Sequence, residues 1–535
     1  MSTTSTRRDV RVNRSGIELA LYYGPEDVGA APLGAPGEPP FTRGIYPTMH
    51  RGRVWSKRQL IGIETPEAFN ERQKRLLEAG VTAASLIICN STYRGYDVDE
   101  VPRQLVGTCG SAINCLDDIR IALADLPLDE LSFGLNDPTP FTVLAHLMVL
   151  AEEQGVPWTA LRGTSNQSDF LSHFVANHMF LRLPPRGSLR VLLDHIAYAQ
   201  EHIPNWNPVS VVGQHMQQGG ATPAQALAFT LATATQYVRS AVEAGLDVNL
   251  VGRRITYFHD VSMSFFEEIA KLRAQRRMWA HIMGETFGAT DPNALRFKVH
   301  TQTSGADLTR QQPLNNIVRV TVQALAAVLG GTQSLHTNSL DETYALPTKE
   351  AVTLALRTQH VIAHESGVAD TIDPLGGSYY LEHLTQRMEE GFARYLREIE
   401  AMGGMVEAVE RGYPQREITE ASFRFQEQVE AKDKLIVGIN AYSTTEEAPI
   451  PILQIDPEVE RKQVERLADV RRKRDAGRWR EAMQRLRDAA TAAKSDKRAE
   501  MMPAFLECAR AEASVGEQVR VLKEVFGEYR DPGYF

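Results

Sequence analysis

Cysteine is scarce in this chain. Four residues in 535, Cys89, Cys109, Cys115 and Cys508, give no CxxC pair and no disulfide framework. A run of about 18 apolar residues, the length needed to cross a bilayer, is also missing. The opening "MSTTSTRRDVRVNRSG" lacks the apolar stretch of a secretory leader. Together these absences lead to the expectation of a reduced, cytoplasmic protein. An excess of positive charge is missing too: the net charge of −9 argues against a nucleic-acid surface, while leaving room for a local basic patch. HxH and HExxH do not occur. That weakens a metal-dependent hydrolase built on His215, His300 and His336, and His360 and His364 stand one helical turn apart without the glutamate that a zinc pair of that spacing uses. No metal ligand is assigned.

What is present is an ordinary globular composition, 43% hydrophobic and 23% charged. Residues 1–40, rich in Gly and Pro, read as an extended N-terminal arm. From 41 to 440, short β-like segments alternate with longer segments of helical period: "AASLIIC", "ELSFGL", "TALRGT", "VSVVGQH", "RITYFHD", "RFKVHTQTS", "TQSLHTN" and "DTIDPLG". Strand then helix, repeated eight times, predicts a (β/α)8 TIM barrel with associated helices, in the α/β class. Residues 441–535 form a charged helical tail, suited either to docking a partner or to being a solvated helix pair.

Two of those strands are polar where a barrel interior wants branched apolar side chains. "HTQTS" carries His300 to Ser304, and "TQSLHTN" carries Gln333, Ser334, His336, Thr337 and Asn338. Strand residues alternate faces, so either register sends polar groups inward. Two readings stay open: loops at the barrel mouth, or a passage for a long polar ligand.

The chain resembles the large subunit of the adenosylcobalamin-dependent acyl-CoA mutases, the methylmalonyl-CoA mutase family. The resemblance runs through "FTRGIYPTMHRGRVWSKRQL", "YRGYD", "GQHMQQGGAT", "FFEEIAKLRAQRRMWA", "HTQTSG", "NNIVR", "GGTQSLHTNSLDE" and "ESGVADTIDPLGGSYYLE". It implies that the pantetheine of coenzyme A threads the barrel past those small polar residues. Tyr46, Thr48, Met49 and Arg53 would then meet the coenzyme A chain and its phosphates, for which arginine is well suited, with Lys298 and Thr301 nearby. His215 would polarise the thioester carbonyl beside Gln167, for which Asn166 is a rival because of a one-residue insertion. Gln333, Asn338, Glu342 and Thr343 would face the adenosylcobalamin, Thr343 replacing the usual small alanine.

Departures from the family pattern bear on the substrate. Leu60 stands where methylmalonyl enzymes have Tyr, Asn177 where they hold the free carboxylate with Arg, and Ile87 where 2-hydroxyisobutyryl enzymes have Asp. An unpaired desolvated carboxylate or hydroxyl is costly, so the resemblance points to an uncharged, branched acyl group of isobutyryl or pivalyl type. The alternative is that Leu60 and Ile87 only pack the wall. Cys89 and Gln214 mark further remodelling, which leaves a larger or 2-hydroxyisobutyryl-type acyl group, or a catalytically silent acyl-CoA-binding scaffold, as other readings. No Asp-x-His is present to ligate cobalt. The resemblance therefore implies a separate small cobalamin-binding subunit, in a heterotetramer of two large and two small chains.

Overall fold

The computed structural model describes residues 11–28, 33–138, 141–176, 183–444 and 450–529. Its frame is two parallel sheets. The strands in chain order are β1 (Ser56–Arg58), β2 (Ala84–Ile87), β3 (Ser132–Asn136), β4 (Arg162–Ser165), β5 (Trp206–Asn207), β6 (Val209–Val212), β7 (Ile255–Val261), β8 (Val299–Thr303) and β9 (Ser334–His336). One sheet runs β1-β9-β8-β7-β6 and the other β2-β3-β4-β5, every pair parallel. At one seam Ile61 bridges Leu86, with Ile87 N donating to Ile61 O at 2.8 Å. At the other, only Pro208 separates β5 from β6.

Alternation decides what each face holds. In β7, Ile255, Tyr257 and Val261 join the helical core with Leu86, Phe133, Leu135, Val211, Val299 and Leu335 from the other strands. Tyr257 stacks on Phe297 at 3.8 Å beneath Trp279. Burying each such side chain contributes about 1.5–3 kcal/mol. The helices that cover this face start where their caps dictate: Thr222 and Gln225 form a reciprocal capping box ahead of Pro223–Glu243. The opposite, inner face carries Arg58, Ser85, Ser132, Gly134, Asn136, Thr164, Phe258, His300, Gln302, Ser334 and His336.

Two expectations change. "DTIDPLG" is a turn, because Pro374 has no N–H to give a ladder, and Asp373 instead bridges Arg43 at 3.2 Å and Arg273 at 2.5 Å. The strand beside β9 is Ser56–Arg58, in the segment expected to meet coenzyme A. The arm forms a small hairpin, Arg11–Val12 against Glu18–Leu19, whose Arg14 and Ser15 amides donate to the Glu267 carboxylate at 3.1 Å each. The tail helices Val459–Lys473, Ala476–Ala493, Met502–Arg510 and Val515–Phe526 pack onto the frame: Phe505, Leu506, Val519 and Leu522 join the main core. Their charges are spent there too, Arg466 on Asp118 at 3.3 Å and Arg510 on Glu152 at 2.6 Å. Among the described residues no helix is long and apolar enough to cross a membrane.

Candidate active site

A cavity of about 690 Å³ opens where the strands end. Leu60, Ile87, Gln167, Gln214, His215 and Glu342 all line it. A larger open cleft, about 910 Å³, lies under the tail helix Val459–Lys473. Its charges pair with one another, as in Arg466 with Glu67 and Lys462 with Asp456, so it offers no free chemistry.

His215 sits on the turn Gly213–Gln218 directly after β6. Only glycine permits that turn, because a Cβ at 213 would come within 2.4 Å of the His259 ring. His215 Nδ1 is 3.2 Å from Ser172 Oγ, and its ring lies 5.1 Å from that of His173. Gln167 Oε1 accepts from His173 Nε2 at 3.2 Å. Asn166 donates to Asn136 Oδ1 at 3.2 Å and is not part of the cavity wall, which separates it from its rival.

The apolar side of the cavity is Leu60 and Ile87. Leu60 N–H donates to His336 Nδ1 at 3.2 Å, so the neutral His336 ring carries its proton on Nε2; burial keeps it neutral, with its pKa lowered to about 4. Cys89 does not reach the cavity. β2 ends at Ile87 and Cys89 already caps the turn Asn90–Tyr93, so strand alternation has stopped. Its thiol is 2.7 Å from Ser91 Oγ, among Val98, Val106, Val459 and Leu467, and Cys109 lines the cavity instead. Asn177 lies outside the described residues.

Asn338 Oδ1 accepts from Gln302 Nε2 at 3.0 Å, and its Nδ2 donates to Thr303 O at 2.9 Å. Burial, then the neighbouring Asp341, pushes the Glu342 carboxyl up to about 7. Gln333 lies before β9, at the other end of the strands, accepting from Val299 N at 2.8 Å. Thr301 faces the helices and bonds Thr332 Oγ1 at 2.9 Å.

That other end is basic. Arg253, Arg254, Arg296 and Lys298 cluster there, and burial followed by their repulsion lowers Lys298 to about 8. Arg296 lies over the Tyr46 ring at 5.3 Å. Thr48 and Arg53 bracket the exposed turn Met49–Gly52, with Met49 buried against Phe41 and Ile45. Between the two ends, Arg58 donates to Ser85 Oγ at 3.2 Å and Ser132 Oγ at 2.9 Å. Burial lowers it to about 10. Gly134 leaves space chiefly for Asn166, since a Cβ there would lie 2.8 Å from Asn166 Nδ2 and would only touch Arg58 Nη1, at 3.4 Å.

Sequence reasoning put Gln302 and His336 on polar strands without giving them a role in the site, and it missed Arg58, Ser172 and His173. Strand parity was the signal for the first three: Arg58 and Leu60 are two apart, as are Ser334 and His336. Nothing in the sequence marked Ser172 or His173. Among the described residues no group of three His, Cys, Asp or Glu side chains is arranged to hold a metal ion. The ring of His360 pairs with Arg357 at 2.9 Å.

The cavity thus brings an imidazole and side-chain amides together at the end of a polar inner face. The family model described as Methylmalonyl-CoA mutase matches residues 12–528. The chain is 41% identical over 539 residues to "Methylmalonyl-CoA mutase" of Rhizobium meliloti (strain 1021), covering 98% of this chain and 74% of that protein. It is 38% identical over 519 residues to the Homo sapiens mitochondrial enzyme of that name, covering 96% and 68%. To the "2-hydroxyisobutanoyl-CoA mutase large subunit" of Aquincola tertiaricarbonis it is 38% identical over 519 residues, covering 96% and 91%. The protein is thus an isomerase of the intramolecular-transferase kind. It belongs to the methylmalonyl-CoA mutase family.

Proposed function

We propose that this chain is the acyl-CoA-binding subunit of an adenosylcobalamin-dependent mutase that rearranges the carbon skeleton of an uncharged, branched acyl-CoA, isobutyryl- or pivalyl-CoA in kind. In this reading the two sheets act as one (β/α)8 barrel around the ligand. The observation that carries it is the inner face: Arg58, Ser85, Ser132, Gly134, His300 and Ser334 stand where such barrels are ordinarily filled by branched apolar side chains. β8 spans five residues, roughly 15 Å, a reach that an extended pantetheine arm matches.

The basic cluster of Arg253, Arg254, Arg296 and Lys298 would hold the coenzyme A phosphates, with Tyr46, Thr48 and Arg53 beside it. At the far end His215 and Gln167 would meet the thioester carbonyl and stabilise charge on its oxygen as the group migrates. Leu60 and Ile87 would enclose the hydrocarbon branch and keep water from it.

Glu342 on the cavity wall, with Thr343, Gly305 and Asn338 close behind it in chain or space, would suit a nucleoside. Glu342 has no side-chain hydrogen-bond or ion-pair partner among the described residues, Thr343 Oγ1 is buried without one, and Gly305 leaves open the space 3.2 Å from Asn338 Nδ2. Adenosylcobalamin, when bound, supplies the carbon radical that takes and returns hydrogen at the acyl branch. A small cobalamin-binding partner would deliver it, as the "large subunit" of the Aquincola relative's name suggests.

A second reading has its own support. Asn136 is the strand neighbour of Ile87, and Asn90 and Cys109 also line the cavity. These polar groups would suit a hydroxylated branch. Calorimetric titration of the chain with isobutyryl-, pivalyl-, 2-hydroxyisobutyryl- and methylmalonyl-CoA separates the readings. Uncharged esters are expected to bind more tightly than methylmalonyl-CoA; tighter methylmalonyl-CoA would remove the apolar-pocket assignment, and no binding at all would remove the acyl-CoA reading.

A further inference from the structure

A second hollow, of about 450 Å³, lies where the turn of the arm hairpin meets the helices Tyr379–Met402 and Tyr413–Glu430. It shares no lining residue with the acyl cavity. Three arginines, Arg14, Arg394 and Arg424, line it, and among the described residues of its wall there is no Asp or Glu. In a chain of net charge −9 that gathers one sign against the background.

The three guanidiniums are little used elsewhere. None donates a side-chain hydrogen bond to another described residue, whereas Arg474 and Arg510 each give two to one carboxylate. Arg14 Nη1 stands 3.6 Å from Asp307 Oδ1, and Arg424 Nη1 3.7 Å from Glu420 Oε2, one turn away on an exposed face, where such a pair is worth little. Arg394 makes no ion pair among the described residues. Aromatic rings hold two of them instead: Arg14 Cζ lies 4.8 Å over the Phe425 ring and Arg394 Cζ 4.5 Å over the Tyr395 ring. A cation–π contact leaves the N–H edge of a guanidinium for another partner. The helix that starts at Pro223 beside them adds no free amide, because Ser15 Oγ accepts from Ala224 N and Thr222 Oγ1 from Gln225 N, at 3.2 Å each.

We propose that this hollow is a binding site for a polyphosphate anion held by Arg14, Arg394 and Arg424. A guanidinium fork meets phosphate oxygens two at a time, and a chain of phosphates carries the several negative charges that three cations call for. A nucleoside triphosphate and inorganic triphosphate share this chemistry. The site is distinct from the cluster of Arg253, Arg254, Arg296 and Lys298 assigned to coenzyme A, and it does not depend on the mutase reading.

Calorimetric titration of the full chain at low ionic strength, with inorganic triphosphate and separately with ATP, tests it. The expected result is saturable binding that weakens about tenfold, the worth of one charged hydrogen bond, in Arg394→Gln and in Arg424→Gln, and is unchanged in Lys298→Gln. Both arginines are exposed, and either variant alone carries the test. ATP binding more tightly than triphosphate identifies a nucleotide as the occupant; equal affinity identifies the phosphate chain alone. Binding that Lys298→Gln removes and the arginine variants spare puts the anion in the coenzyme cluster and overturns the proposal. So does the lack of saturable binding at about 1 mM triphosphate.

Discussion

Leu60, Ile87, Gln167, Gln214, His215 and Glu342 are far apart in the chain and meet at one cavity. Leu60, Gln214, His215 and Glu342 could be singled out in the sequence because each sits inside a collinear motif, whereas Ile87 and Gln167 lie between motifs and Gln167 was left with Asn166 as a rival. Cys89 was misplaced, since the sequence does not show that β2 stops two residues earlier and the alternation with it. Gln302 and His336 depended on a register that the sequence left open. At this scale His215→Ala should lower turnover by on the order of 10²–10⁴-fold, the usual worth of a positioned acid–base group, while acyl-CoA affinity by calorimetry stays close to that of the unaltered chain. Unchanged turnover would take His215 out of its role. Glu342 makes a pH prediction. Its carboxyl is raised to about 7, so the ionised fraction grows as pH rises through that value. Ribose hydroxyls donate better to a carboxylate than to a neutral acid. Cofactor affinity, measured with the cobalamin-binding partner present, should strengthen as pH rises through about 7, and Glu342→Gln should flatten the curve; a curve of equal slope in the variant would sink the assignment.

Among elements, the shortest were the hardest to foresee. Ser56–Arg58 is three residues without an apolar alternation, and it is a strand because β9 offers it a ladder. "DTIDPLG" was expected to be the eighth strand of the strand–helix repeat, and Pro374 vetoes it. The tail's charged pattern was read as docking or solvation; Arg466, Arg471, Arg510 and Arg520 reach acids of the frame, while Arg461, Arg472, Arg474, Arg485 and Arg487 pair within the tail. The joint is Asp97 in "YRGYD", which accepts from Ser514 Oγ at 2.6 Å, Gly516 N at 2.9 Å and Arg471 Nη2 at 2.7 Å. Burial pushes its carboxyl up to about 6 against those donors. Removing one partner of a buried ion pair costs about 3–5 kcal/mol. Asp97→Ala should therefore lower the unfolding temperature and speed proteolytic cutting after residue 441; unchanged protection would show that the tail is held elsewhere. At the basic end, Lys298→Ala should weaken acyl-CoA binding about tenfold, within the worth of one charged hydrogen bond, and leave acyl-pantetheine binding alone. Equal loss for both ligands would contradict a phosphate contact.

Over the whole molecule, two surfaces of the same sheets are built to opposite rules. The outer face follows the ordinary pattern of Leu, Val, Phe and Tyr against helices, and that is why strand–helix alternation was readable along the chain. The inner face breaks the pattern with Ser, Gly, Asn, His and Arg. Such local failures of the apolar rule are where function is expected, and here they connect a basic end to a cavity with an imidazole. The acyl specificity was less legible, because Leu60 and Ile87 are common packing residues and Asn136 enters only through its register with Ile87. The central claim is that this cavity serves an uncharged branched acyl-CoA. The measurement that tests it most directly is mass-spectrometric detection of isomerised product when the chain, a cobalamin-binding partner subunit and adenosylcobalamin meet isobutyryl-, pivalyl-, 2-hydroxyisobutyryl- and methylmalonyl-CoA in one panel. The account predicts conversion of isobutyryl- or pivalyl-CoA ahead of the others; preferential conversion of methylmalonyl-CoA would contradict it.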